Sequence, residues 1–455
     1  MTFQPMFDFH SRRDFLAELA LGVAALALPH WIRASETPRR RPNIIFIYTD
    51  DMGFGDPSCY GYKEVLTRSI DRLAAEGIRF TEFYVASPIC SPSRVAVTTG
   101  MYPARWKIND YLHQRKANRQ HEQADWLDPK APSLARTLKE AGYATGHFGK
   151  WHMGGGRDVQ DAPLPSAYGF DESLVSSHPL EGMGPALDPK MPRHETTSTL
   201  VDRTIEFIRR SKGQPFYVNL WPMDVHTPHV PDPELLPKYD DVPKGHRNFD
   251  AVLEEYDRHI GRLLDFLRES GLEEDTIVVF SSDNGPEPSF EHERSGGLRG
   301  MKWSLYEGGI RTPFIVRWKG KIPASKVDET TVLAGIDLFP TLCTMADVPL
   351  PKGVELDGED MSAAWMGKPI KRARPLFWEY GRMSDYLYPK EPGDRSPNVA
   401  ARDGKWKLLV NADGSQMELY DIKADPKETT NLAERRPDVA KRLADQALAW
   451  RKSLP

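Results

Sequence analysis

Cysteine is scarce: Cys59, Cys90 and Cys343 are the only three in a chain of 455 residues. Three thiols cannot make a disulfide framework, so the fold has to be held by its hydrophobic core. No unbroken apolar run approaches the roughly 18 residues needed to cross a bilayer, which excludes a transmembrane helix in the mature chain. Charge of one sign is also lacking. The formal net charge is −5, no long basic run occurs and no nucleic-acid-binding motif is present, so nucleic acid is not an expected partner. Internal repeats and a strand-borne phosphate loop are missing too. What is there is 40% hydrophobic and 27% charged, the balance of a soluble globular protein with a sizeable core. The length suits one large domain and a smaller one.

The first residues read as an address. Ser11-Arg12-Arg13-Asp14-Phe15-Leu16 leads into an apolar run from Phe15 to Leu28, followed by small residues around Ala34 and Ser35. A charged region, a short apolar region and a small-residue zone make a signal peptide, expected over residues 1–34. The adjacent arginines resemble a twin-arginine signal, which hands folded protein to its export machinery and implies a periplasmic or secreted bacterial protein. The apolar run is too short to span a bilayer and contains Glu18. No cysteine follows it, so no lipid anchor is expected there.

Beyond residue 42 the pattern alternates. Near-continuous apolar runs at Asn43–Thr49, Tyr143–Phe148, Phe216–Trp221, Thr276–Ser281 and Pro313–Trp318 predict buried parallel strands. Helical spacing lies between them at Ser69–Glu76, Ser133–Ala141, Thr199–Ser211 and Phe249–Ser270, and again at Asp337–Ala346. Alternation of this kind predicts an α/β fold with a large, mostly parallel sheet flanked by helices, over residues 42–348. A Pro-, Gly- and acid-rich stretch opens an expected linker, residues 349–374. Lys405–Val410 and Gln416–Ile422 read as a hairpin, and Glu434–Leu454 as an amphipathic helix. A small C-terminal α+β subdomain with an antiparallel sheet is therefore expected over residues 375–455.

In open α/β sheets ligands bind beyond the carboxyl ends of the strands. Two predicted strands end there in oxygen donors, Asp50-Asp51 and Asp283-Asn284-Gly285. Three carboxylates and an amide suit calcium, or magnesium less well; zinc would recruit His or Cys. Taken alone, each pair is equally a strand-end turn, for which Asp, Asn and Gly are the usual residues.

Ser87-Pro88-Ile89-Cys90-Ser91-Pro92-Ser93-Arg94 is the sharpest segment. Cys90-Ser91-Pro92-Ser93-Arg94 resembles the C-x-P-S-R signature of the type I, formylglycine-dependent sulfatases, arylsulfatase-like members of the alkaline-phosphatase-like superfamily. Gly100-Met101-Tyr102-Pro103 resembles the extension of that signature, with Met101 where Arg is usual. Pro42–Asp51, Gly149-Lys150-Trp151-His152, His226-Thr227-Pro228, Gly300-Met301-Lys302, Glu307-Gly308-Gly309-Ile310-Arg311 and Ala401–Leu408 resemble further segments of the family. The likeness runs from Pro42 to the C-terminal helix.

The resemblance implies a sulfuric ester hydrolase acting on sulfate monoesters, of a sulfated carbohydrate or, in vitro, an aryl sulfate. Cys90 is implied to be oxidised to formylglycine by a separate formylglycine-generating enzyme. The hydrated aldehyde is a geminal diol: one hydroxyl attacks sulfur to give a covalent sulfo-enzyme intermediate, and the other expels sulfate. One Ca²⁺ (Mg²⁺ less so) is implied to be held by Asp50, Asp51, Asp283, Asn284 and the modified Cys90. Asp283 is implied as general base, Arg94 as partner of the ionised diol, Lys150 and Lys302 as holders of sulfate oxygens, His226 as the acid toward the departing alcohol, and His152 as hydrogen-bond partner of the diol. A phosphatase or phosphotransferase of the same fold would use Ser or Thr and a His-rich pair of metals. A glycan-binding protein with a dead site would have lost a ligand or Cys90. Loops Lys107–Lys130 and Gly154–His194 are expected to wall the pocket.

Overall fold

The computed structural model describes residues 1–2, 41–175, 187–188, 190–211, 213–383 and 385–455. The expected signal peptide lies outside the described residues, apart from Met1 and Thr2. Residues 41–455 form one compact unit. Among the described residues no helix is long and apolar enough to cross a membrane, and all three cysteines are free.

Among the described residues fourteen strands follow in chain order: β1 Asn43–Thr49, β2 Ile78–Phe80, β3 Phe83–Tyr84, β4 Ala144–Gly149, β5 Glu172–Val175, β6 Phe216–Trp221, β7 Thr276–Ser282, β8 Phe314–Arg317, β9 Lys326–Asp328, β10 Leu333–Ala334, β11 Leu376–Glu379, β12 Val399–Asp403, β13 Trp406–Val410 and β14 Glu418–Asp421. The main sheet has the order β5-β4-β6-β1-β7-β8-β2-β9. Its centre is parallel, with β1 between β6 and β7. β8 runs antiparallel to both neighbours, β7 and β2. The expected parallel run Pro313–Trp318 is thus a strand of the opposite sense, which an apolar run by itself does not reveal.

β1 shows why the strands read as continuously apolar. Ile44, Phe46 and Tyr48 enter one core and Ile45 and Ile47 the other. Successive side chains point to opposite faces, and here both faces are covered. On one face pack the helices Arg68–Ala75, Thr196–Arg210 and Lys244–Glu269, through residues such as Ile70, Leu200 and Leu263. On the other pack Cys90–Thr99, Leu134–Glu140 and Leu338–Met345. The predicted helix Phe249–Ser270 begins earlier in the structure, at Lys244, where Pro243 supplies the N-cap.

β11-β12-β13-β14 make a separate antiparallel sheet. The helix Pro437–Lys452 covers it, with Leu443 and Ala447 on Val399, Leu408 and Val410. Residues 349–374 are fastened at both ends. Asp357 accepts from Arg105 Nε and Nη2, each at 2.7 Å, and Asp337 accepts from Arg372 Nη2 at 2.8 Å.

The seam between the sheets is ionic and buried. Lys407 Nζ on β13 lies 3.0 Å from Glu307 Oε1 and 3.0 Å from Glu428 Oε1, with all three side chains fully buried. Burial would raise Glu307, but Lys407 holds its carboxyl low; burial pushes the Glu428 carboxyl up. Removing one partner of such a group leaves uncompensated charge in a low-dielectric interior. Lys407→Met is therefore expected to lower stability by about 3–5 kcal/mol, measured by urea unfolding. A variant as stable as the wild type would show that the seam is held by packing instead.

Candidate active site

β1 and β7 pair in register from Asn43 opposite Thr276 to Thr49 opposite Ser282. Each is followed at the same edge by its polar pair, so Asp50 and Asp51 meet Asp283 and Asn284, and all four are fully buried. Asp51 sits at φ 59, a left-handed conformation that Asp adopts more readily than most residues. Two bonds hold it there. Its N–H donates to Asp283 Oδ1 at 3.1 Å, and its carbonyl accepts from Arg294 Nη2 at 2.7 Å. Residue 285 is glycine because a Cβ would lie 1.9 Å from the Gly308 carbonyl oxygen. Gly308 and Gly309 are tight backbone as well, since a Cβ there would meet the Gly300 and Ser304 carbonyl oxygens, each at 2.0 Å.

Cys90 opens the helix Cys90–Thr99 after an extended Ile89, and Arg94 follows one turn along on the same face. The Arg94 guanidinium stands over the rings of Tyr48 and Trp221, at 5.7 and 5.1 Å. It donates to Asp283 Oδ2 at 2.6 Å and to the Lys150 carbonyl at 3.2 Å. Lys150 follows β4, where Gly149 takes φ 124 and a Cβ would meet the Trp221 carbonyl at 2.1 Å. Lys150 Nζ donates to both oxygens of Asp50, at 2.9 and 2.7 Å. Lys302 Nζ does the same to Asp51, at 2.7 and 2.7 Å.

Three carboxylates thus meet three cations out of water. Burial would raise Asp50 and Asp51, but Lys150 and Lys302 hold them low. Burial pushes Asp283 up in spite of Arg94. It also pushes the Cys90 thiol up, in spite of Lys150 and Lys302. His226 Nδ1 donates to the Thr227 carbonyl at 2.6 Å, which leaves Nε2 free to face Asp51 Oδ2 at 3.5 Å. His152 is buried at φ 51, and neither of its ring nitrogens has a hydrogen-bond partner among the described residues. Burial, then Lys150 and Arg94, hold it well below the usual imidazole range, so its ring is neutral.

Every residue singled out from the sequence belongs to this neighbourhood. Ligand atoms of Asp50, Asp51 and Cys90 lie within 4.8 Å of one another. Asp283 joins through the Asp51 N–H and Arg94, and Asn284 through its Nδ2, which donates to Asp51 Oδ1 at 2.7 Å. The residues fit a hard divalent ion: the donors are carboxylates, and the buried Oδ1 of Asn284 has no hydrogen-bond partner among the described residues, an acceptor that an ion would satisfy. Above the cluster lies a cavity of about 560 Å³, floored by Cys90, Lys150, His152, His226 and Lys302. Tyr111 of the first expected loop lines it, and Arg157 and Arg193 come from the second.

Arg294, Asp56 and Trp303 were not legible. Asp56 sits in a Gly53-Phe54-Gly55 turn that looks like any other, and Arg294 lies in a loop without periodicity. Yet Arg294 is fully buried and holds both the Asp51 carbonyl and Asp56, the latter at 2.9 Å.

Fold and cluster together define a hydrolase of the alkaline-phosphatase-like class. The sulfatase family model matches residues 42–348, and the C-terminal model of N-sulphoglucosamine sulphohydrolase matches residues 301–452. N-acetylgalactosamine-6-O-sulfatase of Bacteroides thetaiotaomicron is 29% identical, over 89% of this chain and 92% of its own. Human arylsulfatase A is 30% identical, over 92% of this chain and 86% of its own. A solved sulfatase of Pseudoalteromonas, PsFucS1, shares the fold with a TM-score of 0.71 at 24% identity, over 91% of each chain. The chain belongs to the sulfatase family and is a sulfuric ester hydrolase.

Arg294→Met would strand Asp56 and free the Asp51 carbonyl. It is expected to cost about 3–5 kcal/mol and to lower sulfate release more than the fraction unfolded accounts for. Chemical unfolding and turnover on one preparation check both; an active variant of wild-type stability would remove Arg294 from the support of the site.

Proposed function

We propose that the protein hydrolyses sulfate monoesters of a sulfated glycan, after export, through a formylglycine made from Cys90 and with one bound Ca²⁺. The observation that carries this reading is Cys90 at a helix start, with its ligand atom and those of Asp50 and Asp51 within 4.8 Å of one another. As a thiol, residue 90 is a poor nucleophile, because burial raises it. Its Sγ stands where the oxygens of the oxidised residue would be. Formylglycine, once hydrated, supplies an attacking hydroxyl and a second one that releases sulfate.

Asp50, Asp51, Asp283, Asn284 and the modified Cys90 would hold the ion, which supplies Lewis-acid polarisation of a sulfate oxygen. The remaining work falls to the chain's own side chains. Lys150 and Lys302 each have N–H donors beyond those spent on a carboxylate, and these point charges hold sulfate oxygens. Asp283, raised by burial, is suited to take a proton on a carboxylate oxygen. Arg94 lies against it and favours the anion that this transfer leaves. His226 presents Nε2 as the atom that hands a proton to the leaving alcohol; burial lowers it, while Asp51 and Asp50 favour the charged ring. Neutral His152 can give or accept one hydrogen bond.

With the cluster's own charges balanced, a divalent ion would leave the cavity floor positive, which suits an anionic ester. Arg157, Arg193 and the ring faces of Tyr111 and Trp303 line the space where a sugar would lie. The names of the bacterial and human relatives support the glycan and aryl ester classes respectively.

Protein made with a formylglycine-generating enzyme is expected to yield a tryptic peptide Phe80–Arg94 carrying the aldehyde, and Cys90→Ala to keep its fold while losing sulfate release from an aryl sulfate or a sulfated sugar. Mass spectrometry finding only cysteine in active enzyme, or turnover by the alanine variant, would refute the nucleophile. Asp50→Ala is expected to lose bound calcium and activity together; elemental analysis with unchanged calcium would take Asp50 out of the site.

A further inference from the structure

A second group of metal-capable side chains stands beside the cavity, outside the cluster described above. Ligand atoms of Asp110, His113 and His121 lie within 4.8 Å of one another. Asp110 Oδ2 is 3.7 Å from His113 Nε2 and 3.1 Å from His121 Nδ1. Neither of these ring nitrogens has a hydrogen-bond partner among the described residues, although His121 is only 5% exposed and Asp110 only 1%. Leaving a buried polar atom unmatched costs about 1–3 kcal/mol. One cation would satisfy both lone pairs and the carboxylate at once.

The group is built rather than fallen together. Asp110 Oδ1 is occupied by the Tyr111 N–H at 2.8 Å, which turns Oδ2 toward the two rings. The Asp110 N–H donates to Gln123 Oε1 at 3.1 Å, and the His113 N–H to Asn118 Oδ1 at 2.7 Å. On its far side His121 Nε2 meets Asp385 Oδ2 at 3.2 Å. A carboxylate on one imidazole nitrogen fixes the tautomer and aims the other nitrogen at a metal. Two imidazoles and a carboxylate are a borderline donor set that suits zinc, unlike the oxygen-rich set at Asp50. Tetrahedral zinc with bonds of about 2.0–2.1 Å spaces its donors about 3.3 Å apart, and the two measured separations straddle that figure.

We propose that Asp110, His113 and His121 bind one zinc-class divalent ion, with Asp385 as the positioning residue of His121. The ion clips together two segments of the substrate cavity wall. The His113 ring lies 3.6 Å from that of Tyr111 and the His121 ring 4.7 Å from that of Tyr386, while Tyr111 and Leu387 line the cavity. Among the described residues no hydrogen bond or ion pair joins the group to Cys90 or its carboxylates, so the proposal stands or falls apart from the sulfatase mechanism.

The test uses full-length protein stripped with chelator, saturated with Ca²⁺ and then titrated with Zn²⁺, bound zinc being counted by elemental analysis after dialysis. One equivalent is expected in the wild type, none in His113→Ala or His121→Ala, and about tenfold weaker binding in Asp385→Asn. Calcium content should not change. Cobalt in place of zinc should give a tetrahedral, imidazole-ligated absorption band in the wild type. That measurement needs no variant, so it decides even if a substitution disrupts folding. Absence of the band, no zinc bound over saturating calcium, or equal zinc in the folded histidine variants would overturn the proposal.

Discussion

Asp50, Asp51 and Asp283 face Lys150, Lys302 and Arg94 in a buried cluster, and this balance constrains everything around it. A single ion of this size transferred alone to such an interior costs several kcal/mol even after relaxation. Each charge here is tolerable only because its partner sits at hydrogen-bond distance: Lys150 on Asp50, Lys302 on Asp51, Arg94 on Asp283. The pairs also share neighbours, since Arg94 reaches within 3.5 Å of Asp50 as well. A displacement of one strand end is therefore felt by all six groups. That is why the surrounding backbone has so little freedom.

The backbone meets the constraint by close approach. At positions 149, 285 and 308 a Cβ would collide with a carbonyl oxygen at 2.1 Å or less, so these glycines set how near the chain segments carrying Lys150, Asn284 and Lys302 can come. Asp51 and His152 occupy left-handed φ without being glycine. Such conformations persist when the surroundings over-determine them, and they gather where a side chain has to be aimed. For Asp51 the determining bonds are visible, from Asp283 on one side and Arg294 on the other.

What could be read in the sequence followed from periodicity and local chemistry. β1, β6 and β7 are near-continuous apolar runs because both of their faces are covered, and the donors at the ends of β1 and β7 fall together once two parallel strands share a register. β2, β5 and β9 escaped notice: they are three or four residues long, with exposed or half-buried positions, so they carry no distinct pattern. The antiparallel sense of β8 was hidden for a different reason, since direction is decided by the connection and not by the strand's own composition. Arg294 and Asp56 were hidden because their role exists only in three dimensions: an arginine and an aspartate far apart in the chain become a buried pair. The Asp110 group shows the converse. Its three members lie within a dozen residues, yet only the fold of the Lys107–Lys130 loop turns them inward.

The two groups of metal-capable residues differ in the chemistry they would tolerate, and their separation follows from that difference. Around Cys90 the useful donors are hard oxygens: neither ring nitrogen of His152 has a hydrogen-bond partner among the described residues, while His226 spends Nδ1 on a backbone carbonyl and turns only Nε2 toward Asp51, at 3.5 Å. An imidazole pair beside Asp50 would favour a borderline metal over calcium. At Asp110 the two imidazoles sit on a single carboxylate oxygen and no lysine or arginine pairs with it among the ion pairs of the described residues. Oxygen donors balanced by ammonium groups stand in one place, and two imidazoles around one carboxylate oxygen in the other.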